Sequence, residues 1–588
     1  MNKRRSLILI SIVVAGLLSS GEATCRIIPV PGGGDFQAAL DEAQSGDIIT
    51  LEAGATFTGP FVLPVKAGSG WIGVRTSAPD SSLPMAGRRI DPSYAPRLPK
   101  LAAPNSLPAL QAAPRAHHYW FRGVEILPVA GAFTFNLVEL GASETSLTDL
   151  PHHLIFDQCY IHGDPLRGSR RGIALNSSWT SVIDSYLSDF KDTDSDSQAI
   201  AGWNGSGPFT IANNYLEAAG DNILFGGADP RIPGLVPSDI QIVHNHFFKP
   251  LSWRIGDPAY GGTPWRVKNI LELKNARRVL ITGNILEHNW VHAQNGFAVL
   301  FTVRNQDGTA PWSVVEDVIF VRNILRQSAS GFNFLGSDNN FPSEPTRRVL
   351  IRDNLLLDIS GVGWGTAGDG RLFQFVGPTG LTGPVDITIE HNTGFQSGPI
   401  MVADGSQSPG LVYRNNIIPE GTGFLGSGTA PGLDTLRTYF PDAIYVRNVQ
   451  PGGNPLLYPE DNFFPPALAD VGFVDLDGGD YRLRSDSPYK NAGSDGKDPG
   501  ADIDAVLSAT NGAESGLARL QNRVDVAQAI LPAPRDCDDD STQCATRPLV
   551  LDTSADDLIA STLKSCCSAK ILKMCWPAER VIPLLPTH

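Results

Sequence analysis

The sequence predicts an all-β fold, a right-handed parallel β-helix with an N-terminal capping helix, and three observations predict it. An asparagine recurs at the end of one strand-like run after another. A second file of apolar runs recurs once per interval. The 588-residue chain also carries 60 Gly and 45 Pro with only 18% charged residues, a balance that favours turns over long amphipathic helices.

The asparagine pattern reads aliphatic or aromatic, two residues, Asn, one residue, apolar. It occurs at 211–214, 242–245, 281–284, 320–323, 351–354, 389–392 and 413–416. Two earlier copies, 156–159 and 182–185, place Cys159 and Ser185 at the Asn position. A strand that pairs only with strands above and below must return to the same place after each circuit, at a spacing of about 4.8 Å. Asn tolerates left-handed backbone angles at a bend, and its amide can bond to the Asn of the next circuit. The intervals vary between 24 and 39 residues because loop lengths vary while the cross-section stays fixed. The second file comprises 172–175, 222–225, 270–273, 297–301, 332–335 and 372–375, one per circuit, and predicts another face of the helix.

The ends follow from the same logic, because an open coil exposes core and strand edges. Residues 35–43 predict a short amphipathic capping helix, followed by a strand at 46–51, and residues 480–493 predict the closing coil. The helix domain is expected over residues 24–505. Residues 506–588 are expected to form a tail with one helical stretch at 517–531, otherwise unordered or held by disulfides among Cys537, Cys544, Cys566, Cys567 and Cys575. Cys159 is expected to be a buried apolar residue.

Residues 1–23 predict an export signal: Lys3, Arg4 and Arg5, an apolar run over 7–18, and small residues before a cleavage point after Ala23. A secreted or periplasmic protein is therefore expected, with no stable membrane insertion, since the apolar run is short for a span. The net charge of −15 argues against nucleic acid as a partner. A polysaccharide is the expected ligand and a monomer the expected state.

In such a helix a groove gathers residues from the same strand end of successive coils. The second file offers Trp203, Asp229, Lys274, Arg304 and Asp338. Residues 249–278 add a basic, aromatic stretch: Lys249, Trp253, Arg254, Tyr260, Trp265, Arg266, Lys268, Arg277 and Arg278. Flat rings stack on sugar faces while basic groups hold carboxylates or sulfates, so Trp203, Lys249, Trp253, Arg254, Trp265 and Lys268 are the expected substrate contacts. Solvation or loop packing accounts for such residues equally well, and His288 and His292 read as packed or solvated residues.

Together these features resemble the pectin-lyase-like superfamily over residues 26 to 505, which implies the fold but leaves the reaction open. The run Asp221-Asn222-Ile223-Leu224-Phe225-Gly226 echoes the pectin methylesterase signature without its Gln partners. Asn222 stands where a pectate lyase would carry Lys, and Arg231-Ile232-Pro233 is followed by Val236 instead of a second Arg, which argues against a standard pectate lyase. Glu272-Leu273-Lys274 followed one coil later by Thr302-Val303-Arg304 is loosely similar to the alginate lyase and chondroitinase B group. Breaking a uronate by β-elimination needs a neutralised carboxylate, a base for the C5 proton and a donor for the leaving oxygen. Lys274 beside Arg304 is the expected catalytic pair. Glu272, or Asp192, Asp194 and Asp196, is the expected ligand set for Ca²⁺. A non-catalytic binding or adhesin-like helix, and a hydrolase or epimerase on the same groove, remain alternatives.

Overall fold

The computed structural model describes residues 26–366 and 369–517, together with the backbone of two short paired strands, Arg535–Asp536 and Ala545–Thr546. The segment expected to be an export signal, residues 518–531 of the expected tail helix and the five C-terminal cysteines lie outside the described residues.

Among the described residues the chain winds through three parallel sheets of 14, 11 and 12 strands. The first sheet runs from Ile27–Val30 to Ile444–Val446, the second from Thr56–Thr58 to Thr393–Gln396, and the third from Phe61–Leu63 to Phe424–Gly426. From Ile48 to Gly405 each circuit takes one strand from each in that order, so the chain is wound as a parallel β-helix. The register is continuous: Ile211 pairs with Ile242, Ile242 with Ile281, Ile281 with Phe320 and Phe320 with Ile351. The second apolar file of the sequence is the third sheet. The second sheet, short strands just past each Asn, had no file of its own in the sequence reading.

Inside, like residues stack on like. Phe121 lies on Phe156 with ring centroids 5.1 Å apart, and Tyr413, Tyr445, Tyr458 and Phe464 form one continuous column. Burying each such ring contributes roughly 1.5–3 kcal/mol, which offsets the ordering of long turns. Helix α1, Phe36–Glu42, begins on Asp35, whose carboxylate accepts from Ala38 N, and buries Phe36, Ala39 and Leu40 over the open first coil. At the other end helix α2, Leu433–Tyr439, buries Leu436 and Tyr439. Of residues 480–493, expected to form the closing coil, Asp480–Leu483 instead pairs antiparallel with Phe473–Asp475 as a hairpin.

The asparagines line up in single file. Asn214 N donates to Asn245 Oδ1 at 2.9 Å, Asn245 N to Asn284 Oδ1 at 2.8 Å and Asn284 N to Asn323 Oδ1 at 2.9 Å. The file continues through Asn354, Asn392 and Asn416, and two members absent from the sequence reading, Asn448 and Asn462, extend it. Ser185 and Cys159 occupy its first places, with Cys159 N donating to Ser185 Oγ. One expectation is corrected here. The left-handed residue is the one before each ladder member, as at Asn213, His244, Gly283, Arg322, Asp353 and His391, with φ between 51° and 66°. The kink at that residue turns the chain, which leaves the ladder Asn free to point its amide inward.

Those left-handed residues point outward and meet the chain again. Residues 494–517 run back along the outside of the turn column: Asn415 accepts from Ser494 N, Asp353 from Asp502 N, and Asn213 donates to Gly516 O. Helix α3, Ile503–Thr510, packs on Ile285, Ile324 and Leu355. Arg89 closes the strap by donating to Ala513 O and Glu514 O. No helix among the described residues is long and apolar enough to cross a membrane.

Candidate functional site

The outer face of the third sheet is flanked by two rows of turns. Turns from the second sheet, including 191–197 and 249–270, lie on one side, and turns to the first sheet, including 226–237 and 303–314, lie on the other. Register sets the floor between them. Leu224 pairs with Glu272 and Glu272 with Leu300, so Glu272 faces outward while Ile223, Leu271 and Val299 face the core. Three residues before Leu224, at the start of its strand, stands Asp221.

Asp221, Glu272, Lys268 and Lys274 form a charge cluster on this floor. Lys268 Nζ lies 2.7 Å from Asp196, 3.9 Å from Asp221 and 4.0 Å from Glu272, and Lys274 Nζ lies 3.6 Å from the other Glu272 oxygen. Asp221 is fully buried, and neither of its carboxylate oxygens has a hydrogen-bond partner among the described residues. Glu272 Oε2 is likewise unpartnered, while Oε1 accepts from Thr302 Oγ1 at 3.4 Å. Burial is the main force pushing the Asp221 carboxyl up to about 6; Lys268 opposes it and Glu272 adds to it. Burial alone would lower Lys268, yet Asp221, Glu272 and Asp196 outweigh it and hold its ammonium above the ordinary lysine range. A buried carboxylate without donors is costly to stability, and such costs concentrate where proton transfer is needed.

The expected site residues divide into two groups. Strand-borne residues reach the groove. Lys274 and Arg304 sit one coil apart, with Arg304 N donating to Lys274 O at 2.9 Å, and their side chains are 16% and 29% exposed. The Arg304 guanidinium is anchored by Asp338 at 2.8 Å and by Asn339. Trp203 lies half-buried at the groove edge, with the Arg171 guanidinium 4.9 Å above its ring. Asp229 accepts from Thr309 N and Oγ1 and so ties two flanking turns together.

Apart from Lys268, the loop-borne residues do not reach it. Trp253 and Trp265 are buried against Ala219, Val267 and Trp290, with Lys191 Nζ 5.3 and 5.1 Å from their rings. These aromatics hold loop 249–268 against the corner between the second and third sheets. Arg254 donates to Gly363 O and lies over Trp364. Lys249 is fully buried, and its ammonium donates to Ala218 O, Ala219 O, Gly220 O and Asn222 Oδ1. Burial pulls that ammonium down to about 7, against the attraction of Asp221. Lys249 is thus a structural pin under the turn that leads to Asp221. Lys249→Met removes the donor to Ala218 O and is expected to lower stability by about 2–4 kcal/mol, read as a fall in denaturant midpoint.

The acidic set does not converge as a cation cage. Asp196 is held by Lys268 and by Arg266 Nε at 3.0 Å, which outweigh its burial and keep its carboxyl below the ordinary value. Asp192 and Asp194 bond within their own loop, Asp194 N to Asp192 Oδ1. Two cations therefore stand where Ca²⁺ would need oxygen ligands. Asp221, the most perturbed carboxylate on the floor, escaped the sequence reading as a site residue. Strict alternation from Leu224 would turn it towards the core, and it stands at the opposite strand end from Lys274, so the periodic pattern hides it.

No protein-family model matches the chain, and no curated protein matches it in sequence. Among solved structures it is similar to a pectate lyase at 15% identity, covering 81% of this chain and 93% of that one with a TM-score of 0.32. It is similar to a PL6 alginate lyase in complex with a trisaccharide at 12% identity, covering 82% and 93% with a TM-score of 0.42. A third is the catalytic unit of a GH87 α-1,3-glucanase from Streptomyces thermodiastaticus strain HF3-3, at 10% identity, covering 73% and 70% with a TM-score of 0.42.

Proposed function

We propose that this is an exported, carbohydrate-active β-helix that cleaves a uronate-containing polysaccharide by β-elimination in the groove over the third sheet. The observation that carries the reading is the Asp221 carboxylate, buried without hydrogen-bond donors and raised towards neutrality, 3.9 Å from the Lys268 ammonium and close to Glu272 and Lys274. A regular floor that repeats every coil suits a linear polymer of regular repeat. Lys274 and Arg304, the accessible cations, hold the uronate carboxylate. The charge they supply favours loss of the C5 proton. Once the side chains over it part around the polymer, Asp221 takes that proton, the C4–O bond breaks as the C4–C5 double bond forms, and the Lys274 ammonium returns a proton to the leaving oxygen. Lys268 favours the ionised form of Asp221 between turnovers.

The test is a panel of pectate, alginate and glycosaminoglycan substrates with purified protein, following the ultraviolet band of the unsaturated uronate. Lys274→Ala is expected to lower the rate at least 100-fold. A second reading, a non-catalytic binding helix, rests on the enclosure of Asp221 and the internal pairing of the nearby charges. Affinity for one polymer without any unsaturated product would favour it and exclude the lyase.

A further inference from the structure

Far from the groove, on the outer face of the first sheet, four imidazoles gather on two neighbouring coils. They come from His117–Arg122 and His152–Asp157, paired with His152 opposite His117. In a regular strand His117 and His118 would point to opposite faces. Here His118 and His153 adopt left-handed angles, φ 59° and 54°, and both members of each pair turn outward. Within a pair the Nδ1 atoms approach to 2.8 Å for His117 and His118 and to 2.7 Å for His152 and His153. Between coils the rings lie flat on one another, His117 on His152 at 4.8 Å and His118 on His153 at 4.5 Å. Trp179 stacks on His153 and Trp71 meets His118 edge-on.

We infer that His118, His152 and His153 form a binding site for a divalent transition-metal ion of the Zn²⁺ or Cu²⁺ class, bridging two adjacent coils. One ligand-type atom from each of the three lies within 4.8 Å of the others, the one such grouping among the described residues. Nitrogens bound to a tetrahedral Zn²⁺ at 2.0–2.1 Å sit about 3.3 Å apart, so the His152–His153 pair must open by about half an ångström and the His118 ring must swing in by up to about 1.5 Å. Neutral imidazole is the ligand form that Zn²⁺ and Cu²⁺ favour. The rings remain half-exposed, which leaves an entry path.

Later coils show what is special about this place. In the same column Arg278 donates to both oxygens of Asp239, and Arg348 pairs with Asp317, so opposite charges on successive coils satisfy one another. At the histidine coils only like groups meet: two N–H···N contacts between imidazoles occupy positions that a cation's bonds would fill better. The ion would take the lone pairs those contacts now share.

The test uses the untagged full chain and Zn²⁺ in competition with a chromophoric chelator, and Cu²⁺ with tryptophan fluorescence. One Zn²⁺ per chain is expected. His153→Ala and His152→Gln should each weaken binding at least about 10-fold. His288→Ala, outside the cluster, should leave it unchanged. Cu²⁺ should quench emission, and Trp179→Phe should remove part of that quenching while affinity is retained. Absence of binding overturns the proposal. So does wild-type affinity in a folded His152→Gln protein, or binding lost only when the C-terminal cysteines are replaced.

Discussion

Asn284→Ala is expected to lower the unfolding free energy by about 3–6 kcal/mol. Asn284 lies in the middle of the file and uses its whole amide. Its Oδ1 accepts from Asn245 N at 2.8 Å and Asn245 Nδ2 at 3.0 Å. Its Nδ2 donates to Ile242 O at 2.8 Å, Thr282 O at 3.1 Å and Asn323 Oδ1 at 2.9 Å. Alanine strands a buried backbone N–H of the coil before it, and a carbonyl of that same coil loses its donor. Each stranded group costs about 1–3 kcal/mol, and no water can enter a fully buried turn to replace the amide. Asn284→Ser should cost less, because Ser185 already fills a ladder place, accepting from Cys159 N and donating to Ile183 O. Denaturant midpoints of the two variants check the order. Equal losses for Ala and Ser would mean that side-chain volume, not the amide ladder, sets the cost.

The largest expected functional effect is at Asp221. Asp221→Asn is expected to reduce turnover about 10²–10⁴-fold, the usual contribution of a positioned proton acceptor. The amide is nearly isosteric and leaves Lys268 its stronger partner Asp196 at 2.7 Å, so the fold should persist. A carboxyl pushed up to about 6 accepts a proton only above that value, so wild-type turnover should climb with pH through about 6 and level off beyond it. The residual rate of the variant should lack that rise. A variant with wild-type turnover would remove Asp221 from the chemistry and leave the groove to Glu272 and Lys274.

The reach of sequence reasoning follows what is periodic. The Asn file was legible where each ladder residue obeys one local rule; Asn448 and Asn462 break it, with Gln450 at the apolar place after the first and Pro459 at the aliphatic place before the second. The third sheet was legible as apolar runs, and with it the outward placement of Glu272, Lys274 and Arg304. Loop 249–268 has no period, so nothing in its sequence tells a tryptophan that packs on Val267 from one that meets a sugar. The same holds for Lys249, which reads as a basic surface residue and is spent on three carbonyls. The strap over 494–517 was hidden because it matches the left-handed residues of other coils and not any repeat of its own. The imidazole cluster carries a visible sign, two His-His pairs in strand-like runs, but only the backbone kinks turn all four rings to one side.

The central claim is that stacking of distant coils encloses Asp221 beside Lys268 without hydrogen-bond donors. Its folded value, about 6, lies above the ordinary carboxylate value of 3.8, so the folded protein keeps a proton that the unfolded chain releases. The resulting destabilisation is absent below pH 4, grows between about 4 and 6, and is constant above. The decisive measurement is the stability of wild type and Asp221→Asn at pH 4 and pH 8. Wild type should lose about 2–3 kcal/mol relative to the variant between those two values. A stability difference that does not change with pH would show an ordinary solvated carboxylate and contradict the enclosed site.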